Sequence, residues 1–170
     1  MSLTVAVCIT THNRREELKR TLSELARLAP QPEEILVVAD GCSDGTVEFV
    51  RERHSGVRLI VHEQARGSIP SRNEMARATS CDIFVSLDDD SYPIEGDFIE
   101  RVRALFAAHP RLAVASFPQR TDEHPETLLA ASFGEPHFAG SYANSGAAIR
   151  RTVFAQLGGY PAQFFHAYEE

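Results

Sequence analysis

The chain has 170 residues, of which 43% are hydrophobic and 24% charged, a composition that suits one globular domain with a sizeable core. The formal net charge of -7 disfavours nucleic acid and anionic membranes as main partners, because both are negatively charged. The apolar runs are strand-sized and the first residues lack a basic leader, so we expect a cytoplasmic protein without a transmembrane segment.

Apolar runs alternate with helical patterns along the chain. Strands are predicted at residues 3–10, 35–39, 57–61, 81–87 and 112–117. Helices are predicted from Asn13, over 46–53, over 71–79, around 98–105 and over 151–157, and the pairs Asn13 with Glu16 and Ser71 with Glu74 have the spacing of a capping box. This alternation predicts an α/β fold with a Rossmann-like, mostly parallel sheet and helices on both faces.

The remaining segments contain fewer periodic signals. Residues 119–137 are rich in Pro, Glu and His and are predicted to form a long surface loop, and residues 140–149 form a Gly-, Ala- and Ser-rich segment before the last helix. No internal repeat or linker is evident, so we expect residues 1–170 to form a single domain. Cys8, Cys42 and Cys81 show no CxxC pairing and are predicted to be reduced thiols.

Polar residues follow three of the predicted strands. They are Thr10 to Asn13 after the first strand, Asp40 to Gly45 after the second, and Asp88 to Asp90 after the fourth. Ligands of open parallel sheets bind beyond the carboxyl ends of the strands, so these loops predict a binding site, although Asp, Gly and Asn are also ordinary turn residues.

The three consecutive acids need an explanation, because adjacent carboxylates repel by about 1 kcal/mol at 4 Å even in water. A solvated acidic turn is one interpretation, and a bound divalent cation is another. Neither a dinucleotide fingerprint nor a P-loop follows the first strand, where the sequence reads THNRRE. A phosphate would therefore have to be held in another way. A metal ion bound by aspartate oxygens, which favour Mg²⁺ or Mn²⁺, can bridge to a diphosphate. Arg66 and Arg72 are additional cationic candidates.

Several motifs resemble those of the family 2 glycosyltransferases, which have the GT-A, or nucleotide-diphospho-sugar transferase, fold. In chain order, the motifs are VCITTHNR, VVADGCSDGT, GSIPSRNEMARAT, FVSLDDDSYP, NSGAAIRRTVFAQLGGY and FFHAYEE. The resemblance covers nearly the whole chain. The chain stops within the final acidic motif, so we expect a domain truncated at its C-terminal end.

The resemblance also implies roles for individual residues. It implies a nucleotide site formed by Thr11, Asn13, Asp40, Arg72 and Asp88. It implies a metal site at Asp90 and Asp88, with Asp89 as a spacer, and a catalytic base at Glu170 or Glu169. The sequence departs from the family pattern at Ala39, where Asp is frequent, at His12, where Tyr is common, and at the terminal Glu169-Glu170 pair, which replaces Glu-Asp.

The implied activity is inverting, metal-dependent transfer of a sugar from a nucleotide-diphosphate donor to a hydroxyl of a saccharide, lipid or other acceptor. The Mn²⁺ or Mg²⁺ ion would stabilise the departing nucleotide. Two alternatives remain open: a nucleotidyltransferase that makes sugar nucleotides, and a domain that binds nucleotide sugars without catalysis. The sequence does not identify the nucleotide base, the sugar or the acceptor.

Overall fold

The computed structural model describes residues 2–118 and 140–163. Within them the strands are β1 (Val5–Thr11), β2 (Glu34–Asp40), β3 (Arg58–His62), β4 (Ile83–Asp88), β5 (Val114–Ser116) and β6 (Ala147–Arg150). The helices are α1 (Arg15–Leu25), α2 (Thr46–Arg53), α3 (Ser68–Ala78), α4 (Phe98–Ala108) and α5 (Arg151–Gln156). Over these described ranges, no helix has the length and apolar character needed to cross a bilayer.

The strands form one sheet in the order β3-β2-β1-β4-β6-β5. Strands β1 to β4 pair in parallel, whereas β6 runs antiparallel to both β4 and β5. The predicted α/β fold with a mostly parallel sheet is therefore confirmed. The predicted loop at residues 119–137 lies outside the described residues.

Strand β6 was not predicted. Its first residues, Ala147 and Ala148, are fully buried between β4 and β5. Small side chains lack the β-branched and aromatic signal of a typical strand, so local sequence patterns did not reveal this segment. Its strand conformation depends on pairing with β4 on one side and β5 on the other.

Alternating side chains of the central strands separate into two cores, because successive residues of a strand point to opposite faces. On one face, Val5, Val7 and Ile9 pack with apolar residues of α1 and α4. On the other face, Ala6 and Cys8 pack with apolar residues of α3, together with Tyr160. The sheet is thus covered on both sides, as the near-continuous apolar strands predict.

Each of the four parallel strands extends one residue beyond its predicted carboxyl end. The final residues are Thr11, Asp40, His62 and Asp88. Each of them still pairs with a residue of a neighbouring strand. The sheet backbone therefore fixes the positions of these polar side chains.

Both predicted capping boxes are wrong. Asn13 has a φ of 53° and its side-chain oxygen accepts a hydrogen bond from Ser43 N, while the backbone N–H of Arg15 donates to Asp44 Oδ2 at 3.0 Å. Ser71 lies inside α3, where its hydroxyl donates to the Gly67 carbonyl at 2.8 Å. The first N–H of α1 and the N–H groups of Arg66 and Gly67, just before α3, donate instead to carboxylates distant in sequence, Asp44 and Asp40, which a local pattern does not contain.

Candidate active site at the carboxyl ends of the parallel strands

The polar ends of β1, β2 and β4 lie side by side. Thr10 is opposite Asp88, and Thr11 is opposite Ala39, the residue before Asp40. The chain proceeds from β1 to β2 and β3 on one side and returns to β4 on the other, so the strand order reverses at β1. This is the position at which open α/β sheets form a ligand crevice.

Asp88, the first of the three acids, is paired with an arginine of α3. Arg72 Nη2 lies 2.6 Å from Asp88 Oδ1. The Arg72 side chain is 6% exposed, whereas that of Asp88 is 43% exposed. A buried guanidinium therefore holds a half-exposed carboxylate, and two of the five residues predicted to bind nucleotide are in direct contact.

The other two acids share Arg14. Its Nη2 lies 2.8 Å from Asp90 Oδ2 and its Nε lies 3.3 Å from Asp89 Oδ1. Asp89 is buried, and its burial raises the pKa of this carboxyl to about 6, although the Thr11 hydroxyl and the Arg14 guanidinium act in the opposite direction. Asp90 is half exposed, with 47% of its side chain accessible. Arg72 and Arg14 thus offset part of the mutual repulsion of the acids, while the charges of Asp88 and Asp90 still contribute to the raised pKa of Asp89.

Asp40 occupies a different environment from the three acids. Its carboxylate accepts hydrogen bonds from His62 Nδ1 at 2.6 Å and from the backbone N–H groups of Arg66 and Gly67 at 2.8 to 3.0 Å. Burial alone would raise the pKa of the Asp40 carboxyl, but these hydrogen bonds outweigh it and hold the pKa below its usual value. Asp40 therefore anchors the turn that begins α3.

His62 joins this anchor to the body of α3. Its Nδ1 faces Asp40, and its Nε2 lies 2.8 Å from Glu74 Oε2. The ring is buried, whereas the Glu74 side chain is 36% exposed. Carboxylates on both ring nitrogens fix the orientation of the imidazole and connect the end of β2 to the helix that carries Arg72.

Asn13 and Thr11 lie in the first loop and at the end of β1. Asn13 Oδ1 is 2.7 Å from Ser43 N, which ties this loop to the loop after β2. Gly41, in the second loop, has a φ of 69°, and a Cβ added there would lie 2.5 Å from Ala65 N. Only glycine fits this close approach of the two backbones.

The segment before β6 reaches the acidic motif from the other side. Gly146 N donates to the Ser86 carbonyl at 2.8 Å, and Ser145 Oγ donates to Ser91 Oγ at 2.8 Å. Asp88 N lies 3.4 Å from Ser145 Oγ. These contacts hold residues 144–146 against both ends of the Asp88 to Asp90 run.

Six of the predicted site residues lie at this edge of the sheet: Thr11, Asn13, Asp40, Arg72, Asp88 and Asp90. The predicted catalytic residues Glu169 and Glu170 lie outside the described residues. The sequence prediction did not include Arg14, His62, Glu74 or Ser145. A signal existed for His62, which ends an apolar strand as Asp40 and Asp88 do.

The donor set at Asp88 and Asp90 fits a hard divalent cation. No group of three His, Cys, Asp or Glu residues in the described parts of the chain is arranged to hold a metal. Mg²⁺ and Mn²⁺ sites commonly use one or two carboxylates, with water and substrate phosphates completing the coordination. Two half-exposed carboxylates at a crevice satisfy this requirement.

Comparison with solved structures supports the assignment of the fold. A mannosyltransferase from Pyrobaculum calidifontis, solved with GDP-Man and Mn²⁺, superposes with a TM-score of 0.76 at 22% identity, covering 95% of this chain and 48% of that one. TarS from S. aureus, solved with UDP, gives a TM-score of 0.74 at 16% identity, covering 96% of this chain and 52% of that one. At these identities the likeness establishes the fold.

Sequence comparison gives a more specific result. Glycosyltransferase AglE from Haloferax volcanii is 29% identical over 94 residues, which are 52% of this chain and 31% of that protein. The chain thus spans about half or less of the length of these relatives. The family model described as glycosyl transferase family 2 matches residues 6–158, nearly the whole chain. We conclude that the chain belongs to glycosyl transferase family 2.

Proposed function

We propose that this domain transfers a sugar, with inversion, from a nucleoside diphosphate donor to an acceptor hydroxyl, and that it requires a divalent cation. The observation that carries the proposal is the pair of half-exposed carboxylates, Asp88 and Asp90, at the switch point of the sheet, beside the buried Arg72. The structurally similar mannosyltransferase was solved with GDP-Man and Mn²⁺, and TarS was solved with UDP and with UDP-GlcNAc. These ligands support a nucleoside diphosphate sugar as the donor class.

The donor would lie across the ends of β1, β2 and β4. In this proposal Asp88 contacts the ribose and Arg72 contacts the nucleotide, while Asp90, with Asp88, would hold Mn²⁺ or Mg²⁺. The bound ion would neutralise charge on the diphosphate leaving group. Arg72 contributes in a second way, because its contact at 2.6 Å keeps the Asp88 carboxylate in place before the donor arrives.

The nucleobase would lie near Thr11, Asn13 and Asp40. A carboxylate at the tip of β2 accepts a hydrogen bond from a ring N–H, which uracil, thymine and guanine offer on their pairing edge and adenine does not. The contacts of Asp40 with His62, Arg66 N and Gly67 N leave little of its capacity to accept hydrogen bonds, so a base would have to share this carboxylate. A competition assay that ranks the adenosine nucleotide first would contradict the proposed selectivity.

The proposed catalytic base is Glu170, with Glu169 as the alternative. A carboxylate accepts the proton of the acceptor hydroxyl as the oxygen attacks the anomeric carbon. The decisive comparison is Glu169→Gln against Glu170→Gln in the longest available form of the protein. The base variant should lose turnover with donor affinity nearly unchanged, and a wild-type rate for Glu170→Gln would contradict its assignment.

Two other functions have weaker support. A sugar-phosphate nucleotidyltransferase normally has a Gly-rich phosphate loop after the first strand, and THNRRE does not supply one. A domain that only binds nucleotide sugars would keep the donor site without turnover. Two incubations, each with and without Mn²⁺, distinguish these functions. Nucleotide sugars with candidate acceptors release a nucleoside diphosphate if the domain is a glycosyltransferase, and nucleoside triphosphates with sugar 1-phosphates release pyrophosphate if it is a nucleotidyltransferase. A domain that only binds nucleotide sugars releases neither.

The metal assignment has its own test. Calorimetry of GDP and UDP with the wild type and Asp90→Ala, each with and without Mn²⁺, measures the dependence of nucleotide affinity on the metal. We expect Mn²⁺ to have no effect on the nucleotide affinity of Asp90→Ala, while its circular dichroism spectrum stays that of the wild type. Equal, metal-dependent affinity in both proteins would contradict the role of Asp90.

A further inference from the structure

Arg14 contacts Asp90, one of the two proposed cation ligands, and has no role in the proposal above. It lies immediately before α1, and its guanidinium contacts Asp90 Oδ2 at 2.8 Å and Asp89 Oδ1 at 3.3 Å. The Arg14 side chain is 46% exposed, so it is held at the crevice and not in the core. A positive charge of the chain thus contacts a carboxylate that would bind a positive ion.

Helix α1 contacts the acidic segment, residues 88–92, at two further points. Thr21 Oγ1 donates to the Asp89 carbonyl at 2.7 Å, and the Arg20 guanidinium lies 5.4 Å from the centre of the Tyr92 ring. The backbone of the segment therefore has anchors other than Arg14. It follows that the fold would hold the acidic segment near its present place if the Arg14 guanidinium were removed.

We propose that Arg14 sets the cation affinity of the acidic motif, keeping Asp90 oriented in the metal-free protein and weakening the binding of a divalent cation by itself. This inference depends on the proposed cation site at Asp90. The physical reason is that an ion entering this site meets a guanidinium that is already bound to its ligand. It must share or displace that contact and bear the repulsion between like charges.

The same contact explains why a diphosphate would favour metal binding. A diphosphate brings negative charge, which offsets the repulsion between the metal and Arg14. The protein with Arg14 would therefore bind the metal weakly alone and more tightly with the nucleotide. Without Arg14, the metal would depend less on the nucleotide.

The chain offers a closely matched control. Arg15 is adjacent to Arg14 and has the same side-chain exposure of 46%, but its guanidinium contacts Glu16 at 3.0 Å and has no ion pair with the acidic motif among the described residues. Arg15→Ala removes one positive charge at the adjacent position without removing the contact to Asp90. Thr21→Val removes an anchor of the segment without changing its charge.

The experiment is titration of Mn²⁺, followed by electron paramagnetic resonance, into the wild type, Arg14→Ala, Arg14→Lys, Arg15→Ala and Thr21→Val, first alone and then with GDP or UDP. We expect Arg14→Ala to bind Mn²⁺ alone about tenfold more tightly than the wild type, the size of effect that one nearby, partly exposed charge produces. Arg15→Ala and Thr21→Val should stay within about twofold of the wild type, and Arg14→Lys should lie between the wild type and Arg14→Ala. The enhancement of binding by the nucleotide should be smaller in Arg14→Ala.

The outcomes separate this inference from the proposed function. Equal or weaker Mn²⁺ binding by a folded Arg14→Ala, or equal tightening in Arg15→Ala, would overturn the role of Arg14. Asp90→Asn in the wild-type background tests the site itself. If this substitution leaves Mn²⁺ binding unchanged with and without a nucleoside diphosphate, the cation site is not at Asp90 and the inference about Arg14 fails with it.

Discussion

Two adjacent residues of α3, Arg72 and Asn73, belong to polar clusters of opposite character. Arg72 is buried and pairs with the half-exposed Asp88. Asn73 is buried and makes two hydrogen bonds to Tyr160, from its Nδ2 to the carbonyl at 2.9 Å and from Tyr160 N to its Oδ1 at 2.8 Å. The first cluster is charged and open on one side, and the second is neutral and enclosed.

The difference indicates which contacts a ligand can replace. In the charged cluster, each pair includes a partner that is accessible to solvent, namely Asp88, Asp90 or Arg14, so an incoming ligand finds exposed charge. In the neutral cluster, Asn73, Asn144 and Tyr160 are all buried. Hydrogen bonds between buried neutral groups contribute stability, and breaking them leaves unsatisfied groups in the interior. We therefore expect substitutions in the two clusters to affect different properties.

Asn73→Ala should have the largest effect, and the effect should be on stability. The substitution leaves the buried N–H and C=O of Tyr160 without their partner, at about 1–3 kcal/mol each, so we expect a loss of about 4 kcal/mol in the free energy of unfolding. Urea denaturation measures it, with the exposed Arg77→Ala on the same helix as the control. A loss below about 1 kcal/mol would show that this cluster is not a structural anchor.

Arg72→Met should mainly weaken nucleotide binding. Methionine retains an apolar stem while removing the guanidinium, and Asp88 can then be hydrated because it is half exposed. We expect GDP or UDP to bind about 30- to 100-fold more weakly, corresponding to about 2–3 kcal/mol for hydrogen bonds to charged groups. Calorimetry with Arg77→Met as the control tests this. Unchanged affinity would remove Arg72 from the proposed donor site.

Asp40→Asn should destabilise the protein in a way that depends on pH. The folded pKa of Asp40 lies below its unfolded value, so its contribution is present above about pH 4 and is lost as the pH falls through the folded pKa. We expect a loss of about 2 kcal/mol at pH 7, because asparagine retains one acceptor but not the charge.

The measurement for Asp40 is urea denaturation at pH 7, 5, 4 and 3. The difference between Asp40→Asn and the wild type should shrink below about pH 4. The exposed Asp97→Asn provides the control. A difference independent of pH would show that the charge of Asp40 does not stabilise the turn at Arg66 and Gly67.

Tyr160→Phe should have the smallest effect. Its hydroxyl donates to Asn144 Oδ1 at 2.9 Å and lies 3.2 Å from the Tyr142 hydroxyl. Loss of one neutral hydrogen bond should lower the free energy of unfolding by about 1 kcal/mol. Thermal denaturation, with Tyr92→Phe as the control, measures this loss of stability. The affinity for GDP or UDP should not change. A loss of nucleotide affinity in folded Tyr160→Phe would mean that the two clusters are coupled.

The sequence by itself determined the α/β architecture and predicted where polar side chains would meet. Apolar strands alternating with helices require a sheet covered on both faces, and polar residues after the first, second and fourth strands predict a site at their carboxyl ends. The structure confirms this fold and places Thr11, Asp40 and Asp88 as the last residues of their strands. These features are predictable because they depend on local periodicity and on the alternation of elements along the chain.

Tertiary structure alone decided which partners the polar groups have. Arg14 and Asp90 are 76 positions apart, and Asp44 accepts a hydrogen bond from the N–H of Arg15 across 29 positions, so no local pattern connects them. Strand β6 likewise depends on pairing with β4 and β5. The physical reason is that periodicity encodes which face of an element is buried, whereas the partner of a charge depends on the packing of elements that are distant in sequence.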